Sequence, residues 1–589
     1  MKIKTLLLFV FCGHLIWGQN SLIRIEGNVL DKNTKQPVPF ANIFNATLGV
    51  GTITNQDGFF RLNVQRYDDS VLVSFIGYET APLRLKNGTD FYTVLLEERA
   101  QVLKEIVVTP KLNSYLFELV EGCAKKNSKA KRTAKAYYEL KTFRDTTQVE
   151  LVENFYNVYL SGYDLSDLVL KAGRLAMRPY GNRFFVSLES SFAIARSKLK
   201  TSNTLYPNSP LDFSKRQMQR KFNLNLERKY MEPNGDSIYV IGFEPVKTDG
   251  TAYSGVVWLN STKKNVLKIN CHCTDCKQFP FRPMFGADSI KQVDFNITKT
   301  FEEVGDEMLF RHVDFTYAIS YRSRVGKENE LAYTIKTNAL LYAYDFGHQF
   351  ELPTLELKPS NLASGDYRAI SAMPYNDFFW KNNDEYRLNE RSYKNEAFFD
   401  DPKSLSSKTV FKIENPYYYR GFFEHPFRFW STDRVKFREV VDDTTQASGN
   451  GHLNSELYML SVKIFVDINT YRGITDLKTA TIFDPYESYY RLPMDSKALC
   501  FINLFFDFCE IQRLDLESSL RNVSNEPAQV RELSKKLLAE FETKKKGFLS
   551  DVKRGMNQEA MLRWNEYVKA RLGIDNIAIF KPYEKKEND

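Results

Sequence analysis

The sequence predicts a multidomain, mainly β protein with an N-terminal β-sandwich, an antiparallel β-rich middle domain and an α+β C-terminal domain. Three observations carry this. Residues 22–98 hold short apolar runs separated by turn residues. Residues 136–355 hold longer alternating runs, two of which flank the hairpin dipeptide Asn234-Gly235. From about residue 496 onward apolar residues recur at helical spacing. The chain has 589 residues, 43% of them hydrophobic, and a mean hydropathy of −0.41. That is material for about three or four domains. The expected division is 1–19 signal peptide, 20–98 sandwich, 99–135 linker with a helix, 136–355 middle domain, 356–410 connector and 411–589 C-terminal domain.

The first residues set the compartment. Lys2 and Lys4 precede the apolar run Leu6-Leu7-Leu8-Phe9-Val10-Phe11, and Ile16-Trp17-Gly18-Gln19 ends the segment. This is a secretory signal, short of the roughly 20 apolar residues that span a bilayer, with cleavage expected at residue 18 or 19. The bulky Phe11 before Cys12 argues against a lipoprotein. No later run reaches about 18 apolar residues, so no transmembrane helix is expected after the signal. The 81 basic and 73 acidic residues leave a net charge of +8, or +6 once Lys2 and Lys4 depart. Export makes nucleic acid an improbable partner for this mixed surface. Aromatic residues, 14% of the chain, favour sheet and raise the idea of an outer-membrane barrel. Against a barrel stand the charged amphipathic helices of the C-terminal third and the polar end Glu584-Lys585-Lys586-Glu587-Asn588-Asp589.

In the sandwich, Ile23-Arg24-Ile25 leads through Gly27 to Val29, and Asp31-Lys32-Asn33 turns the chain. Phe40-Ala41-Asn42-Ile43-Phe44, residues 59–64 and residues 71–75 supply further strands, with Asn55-Gln56-Asp57-Gly58 as a turn. Gly58 and Gly77 are expected at positive φ. The motifs Ile25-x-Gly27-x-Val29, Pro39-x-Ala41-Asn42-Ile43, Thr52-x-Thr54-Asn55-x-Asp57-Gly58-x-Phe60 and Ser74-Phe75-Ile76-Gly77-Tyr78 stand in order. Together they resemble the carboxypeptidase regulatory-like domain of Gram-negative envelope proteins over about 80 residues. The resemblance implies a transthyretin-like fold that accompanies enzymes or transporters without supplying catalytic groups. Leu103-x-Glu105-Ile106-Val107-Val108 is similar to the segment joining this module to the plug of outer-membrane transporters, but no plug follows.

Leu116, Leu119, Val120 and Cys123 fall at helical spacing, and the basic residues 125–135 read as a linker or a second helix end. Beyond them come strands at 224–230, 237–243, 253–260, 266–269, 293–297, 308–317 and 331–341, suggesting a curved sheet or half-barrel. By strand pattern this region resembles lipoprotein-carrier folds. The connector's Met373-Pro374-Tyr375-Asn376-Asp377-Phe378-Phe379-Trp380 is expected against a neighbouring domain. Helices are expected at about 496–520, 527–546 and 557–572.

Two segments invite a chemical reading. Phe429-Trp430-Ser431-x-Asp433-Arg434-Val435-x-Phe437, Ser488-Tyr489 and Gly555-x-Asn557-x-x-Ala560-x-x-x-Trp564 resemble a family of predicted secreted zinc proteases. The resemblance implies His-Glu-x-x-His-Phe-Asp where this chain has Phe501-Ile502-Asn503-Leu504-Phe505-Phe506-Asp507. Phe501 and Phe505 share a helical face but have no lone pair to donate to zinc, and Ile502 cannot act as a base. The segment therefore reads as a degenerate, non-catalytic relative, or as a plain buried helix. Asp507 and Glu510 are expected as solvated or supporting groups. Cys271-His272-Cys273-Thr274-Asp275-Cys276 could ligate a metal, but in an oxidising compartment a disulfide is favoured. Cys123, Cys500 and Cys509 read as small buried hydrophobes. His312, His425 and His452 read as structural, and Asp442-x-Thr444 is too common a pair to weigh.

No catalytic, cofactor-binding or metal-binding residue is therefore assigned, and no cofactor is expected. The expected function is that of a non-enzymatic exported protein, in the periplasm or at the outer membrane, acting as an interaction or scaffold module with an envelope protein partner. The alternatives are a carrier of an apolar ligand in the middle domain and a hydrolase with an unrecognised site.

Overall fold

A computed structural model describes residues 23–55, 57–99, 110–126, 131–178, 205–283, 286–325, 329–354, 370, 373–383, 392–406, 428–436, 457–471, 474–484, 488–523 and 526–583. The expected signal peptide with Cys12 and His14, the 103–108 segment, His425, Asp442, Thr444, His452 and the polar terminus lie outside these. The chain forms two compact units, the first holding the sandwich and the second the described residues from Pro110 onward.

The first unit has strands β1 (Ile23–Asp31), β2 (Asn42–Asn45), β3 (Val50–Ile53), β4 (Phe59–Val64), β5 (Val71–Ser74), β6 (Ala81–Leu83) and β7 (Phe91–Leu96). They pair as two sheets, β4-β1-β7 and β3-β2-β5-β6. Alternating side chains, among them Ile25, Val29, Ile43, Phe60, Leu62, Val73 and Leu96, close one core. One feature departs from the antiparallel expectation, because β7 runs parallel to β1. The turn motif has a physical basis. The Asn55 side chain accepts from the amides of Asp57 and Phe59, both at 2.9 Å, and Gly58 takes φ +74°. The Thr54 hydroxyl accepts from the Ala41 amide and donates to the Val38 carbonyl, tying two turns together. Gly77 also sits at positive φ, +88°.

The second unit opens with α1 (Pro110–Lys125), then β8 (Lys131–Arg144), β9 (Thr147–Ser161), β10 (Asp164–Met177), α2 (Lys215–Lys221), β11 (Phe222–Met231), β12 (Ser237–Pro245), β13 (Ser254–Asn260), β14 (Asn265–Cys273), β15 (Ser289–Val304), β16 (Glu307–Val325) and β17 (Asn329–Tyr344). The sheet therefore begins at Lys131, inside the stretch 125–135 that the sequence reads as a linker or a second helix end. The connector contributes α3 (Asp377–Asn382), α4 (Ser392–Asp400) and β18 (Leu405–Ser406). All these strands form one 11-stranded sheet in the order β11-β12-β13-β14-β15-β16-β17-β8-β9-β10-β18. Every pair is antiparallel, and β17 closes against β8. Bulges in β10, β11 and β15 bend the ladder. The two ends of the middle region thus meet at its centre.

The sheet's inner face holds the main core with α1, whose Leu116, Leu119, Val120 and Cys123 are buried as their spacing requires. Phe281, Phe295, Phe315 and Tyr317 line the same face. The C-terminal part adds β19 (Arg428–Phe429), β20 (Tyr458–Met459), β21 (Val462–Tyr471), β22 (Ile474–Phe483), β23 (Tyr489–Tyr490), α5 (Ser496–Arg521), α6 (Pro527–Val552), α7 (Gln558–Leu572) and α8 (Asn576–Phe580). Its sheet β19-β22-β21 packs with α5, which lies at the centre of a second core.

Candidate functional site

Helix α5 occupies the place where the zinc-protease resemblance would put a metal. Phe501, Phe505 and Phe508 fall on one helical face and are buried. Phe501 meets Tyr458 edge-on, Phe505 meets Phe548, and Phe508 stacks on Phe548 beside Trp564. Ring packing of this kind fills the volume that imidazoles and a metal would need. The neighbouring face carries Asn503, Asp507 and Glu510 at positions i, i+4 and i+7.

Asp507 and Glu510 are buried, so of the two expected roles the structure rules out the solvated one and leaves the supporting one. The carboxylate of Asp507 accepts from Trp430 at 2.8 Å, Arg434 at 2.7 Å and Asn576 at 2.7 Å. Glu510 accepts from Thr481 at 2.6 Å and pairs with Arg513 at 2.6 Å. The Asn503 amide accepts from the Val435 N–H and donates to its carbonyl. The polar face of α5 is thus a structural hub that ties the 428–436 segment, β22 and α8 to the helix.

The cysteine cluster lies at the end of β14. Cys271, Cys273 and Cys276 are buried, and all six described cysteines stand as free thiols. His272 points the other way, to Asn296 at 2.7 Å and Thr274 at 3.0 Å. The imidazole is therefore separated from the thiols by the alternation of the strand. Burial pushes the Cys271 and Cys500 thiols up to about 12. His312 lies inside β16, where burial and the cations Lys268 and Arg311 push its pKa down to about 3.

Sequence reasoning missed a buried ionic seam on the sheet's outer face. The Lys171 ammonium donates to Asp467 at 2.6 Å and to the Glu351 carbonyl at 2.5 Å. The other Asp467 oxygen accepts from Asn376 and Asn469. Three residues further along β10, Arg174 donates to Glu153 at 2.6 Å and to Glu396 at 2.7 Å. Its guanidinium lies between the Trp380 and Phe399 rings. Burial opposes that charge, and the two glutamates overcome it, so its pKa is raised. Phe379 and Trp380 pack on Phe155, so the connector's aromatic cluster does lie against neighbouring structure. A signal for the seam was present. Lys171 and Asp467 each interrupt an apolar strand, at Val169-Leu170-Lys171-Ala172 and Phe465-Val466-Asp467-Ile468.

On the first unit, exposed apolar residues cross the outer face of the second sheet in register. Phe44 pairs with Gly51 and Leu72, and Leu72 pairs with Pro82. Phe44 and Leu72 remain 38% and 37% exposed.

No helix among the described residues is long and apolar enough to cross a membrane. No curated protein matches the chain. Among solved structures, the chain is similar to a LolA superfamily protein from Nitrosomonas europaea, at 10% identity over 41% of this chain and 94% of that one, with a TM-score of 0.16. It is also similar to a putative outer membrane lipoprotein-sorting protein domain from Vibrio parahaemolyticus, at 14% identity over 42% and 96%, with a TM-score of 0.17. A putative membrane-associated protein of unknown function from Bacteroides fragilis matches at 9% identity over 56% and 99%, with a TM-score of 0.11. Residues 25–108 match the CarboxypepD_reg-like domain, and the N-terminal sandwich is the part of the chain that carries this family match.

Proposed function

We propose that this is an exported, non-enzymatic interaction protein of the cell envelope, with the N-terminal sandwich as its docking module. The carrying observation is the apolar row Gly51, Phe44, Leu72 and Pro82 across all four strands of one sheet. A strand's outward positions are normally polar when they face water, so a cross-strand Phe–Leu pair is a surface suited to a protein partner. The packing of α5 supports the non-enzymatic part, because each carboxylate near the expected metal position is engaged by neighbouring side chains. Affinity capture with the full chain from an envelope fraction tests the reading. A protein partner should be retained by the wild type and lost from the Phe44→Ser, Leu72→Glu variant. Equal recovery by both chains, or peptide hydrolysis by the purified protein, would overturn it.

One observation favours a second reading, a carrier of an apolar ligand with an acidic head. Lys299 lies on the inner sheet face, paired with Ile269 and Val313, and is only 7% exposed. No described carboxylate reaches ion-pair distance of it. Burial lowers its pKa, with Asp164 and Asp212 acting only from a distance in the opposite sense. Such an amine suits an anionic headgroup. Organic extraction of the purified protein followed by mass spectrometry should then yield a stoichiometric acid that is lost in Lys299→Met.

A further inference from the structure

The geometry points to a disulfide between Cys273 and Cys276 that closes the corner after β14 when the chain folds in an oxidising compartment. The three clustered cysteines are not equivalent. Cys271 and Cys273 lie two residues apart on one strand, which separates them by about 6.6 Å along the chain axis. A disulfide needs a Cβ separation of roughly 3.5–4.5 Å, so that pair is excluded while the strand stays paired to β15. Cys273 and Cys276 instead flank a bend at Thr274-Asp275, and the Cys276 thiol reaches back to the Cys273 carbonyl. Asp275 takes φ +51° within that bend.

The thiols are already neighbours. Cys276 donates to the Cys273 carbonyl at 3.3 Å, and Cys273 reaches the Gly250 carbonyl at 3.8 Å. The two sulfur atoms also interact directly, which together with burial raises the Cys276 pKa. Cys271 has Lys299 and Asp212 as its charged neighbours. Backbone bonds fix the corner on both sides. Cys276 N–H donates to Val293 at 2.7 Å, and Lys277 N–H donates to Gly250 at 2.9 Å.

The chemistry is thiol–disulfide exchange with an external disulfide as oxidant. One cysteine thiolate attacks a sulfur of the oxidant and releases its first thiol. The second cysteine then attacks the mixed disulfide, forms the intramolecular S–S bond and releases the second thiol. Two protons leave the cysteines and two electrons reduce the oxidant. Protonated, buried thiols react slowly, so the exchange belongs to folding, before the corner closes. The finished bond would brace the 249–252 loop. That loop holds residue 208 through the Asn208–Thr251 and Tyr253–Asn208 backbone bonds, and so supports Tyr206 on the inner face.

The test is alkylation of denatured, unreduced full-length protein, with peptide mapping of Cys123, Cys271, Cys273, Cys276, Cys500 and Cys509. Protein from an oxidising compartment should show alkylation at Cys123, Cys271, Cys500 and Cys509, and a peptide lighter by two hydrogens linking Cys273 to Cys276. Prior reduction should open all six. The Cys273→Ser, Cys276→Ser chain should give the same four alkylated sites with and without reduction. Alkylation of all six sites without reduction, or any linkage through Cys271, would overturn the proposal.

Discussion

Lys171 and Asp467 stand 296 positions apart in the chain and meet at 2.6 Å as a buried ion pair. They join the large sheet to the C-terminal sheet, with Asn376 of the connector hydrogen-bonded to the same aspartate. Removing one partner leaves the other charge buried and uncompensated. Lys171→Met and Asp467→Ala should therefore each cost about 3–5 kcal/mol. Replacing both, as Lys171→Met with Asp467→Ala, should cost less than the two single losses combined. Urea unfolding of the four chains measures this. Additive losses would show that the pair is not coupled.

His312 makes a prediction about acid stability. Its folded pKa of about 3 lies below the ordinary value of 6.5, because burial and the nearby Lys268 and Arg311 disfavour the charged ring. The unfolded chain therefore takes up a proton first as pH falls. Stability from the neutral ring is complete above about pH 6.5 and declines by about 1.4 kcal/mol per pH unit below it. Between pH 7 and pH 5 the wild type should lose about 2 kcal/mol more than His312→Gln. Parallel pH dependences of the two urea midpoints would refute the assignment.

In the sandwich, Gly27 illustrates a reason that a sequence motif shows without explaining. A Cβ built on it would lie 2.2 Å from the Tyr92 carbonyl and 2.8 Å from the Phe60 ring. The parallel approach of β7 to β1 leaves no room for a methyl group. Gly27→Ala should destabilise the module by about 1–3 kcal/mol, the usual cost of overpacking. Circular dichroism melting of the full chain, followed at the N-terminal transition, would register the loss. An unchanged transition would contradict the close approach.

What the sequence made legible follows from how local its signals are. The hairpin at Gly235, the helices of the C-terminal part and the burial of Leu116, Leu119 and Val120 rest on spacing within one element. Strand boundaries were less legible. Residues 131–135 are basic and small, and it is their pairing with β9, and at Lys135 with β17, that makes them strand. The parallel β1–β7 pairing and the closure of β17 on β8 depend on contacts between distant segments, which periodicity does not encode. The same holds for Asp507. Its neighbours in sequence are Phe506 and Phe508, but its partners come from two distant segments, Trp430 and Arg434 from 428–436 and Asn576 from α8. A carboxylate that looks spare in a helix can thus be held by three donors from outside it.

Helix α5 carries the last prediction. Phe505 is fully buried against Phe548, so Phe505→Ala removes a ring from a closed core and should cost about 3–5 kcal/mol. Asp507→Ala should cost a similar amount for a different reason. It strips Arg434 of its carboxylate and leaves Trp430 and Asn576 without an acceptor in a buried setting. If the polar face instead held a catalytic metal, Asp507→Ala would abolish metal retention after dialysis together with peptide hydrolysis. The structural reading expects neither activity nor stoichiometric metal in the wild type, and elemental analysis alongside the unfolding curves separates the two.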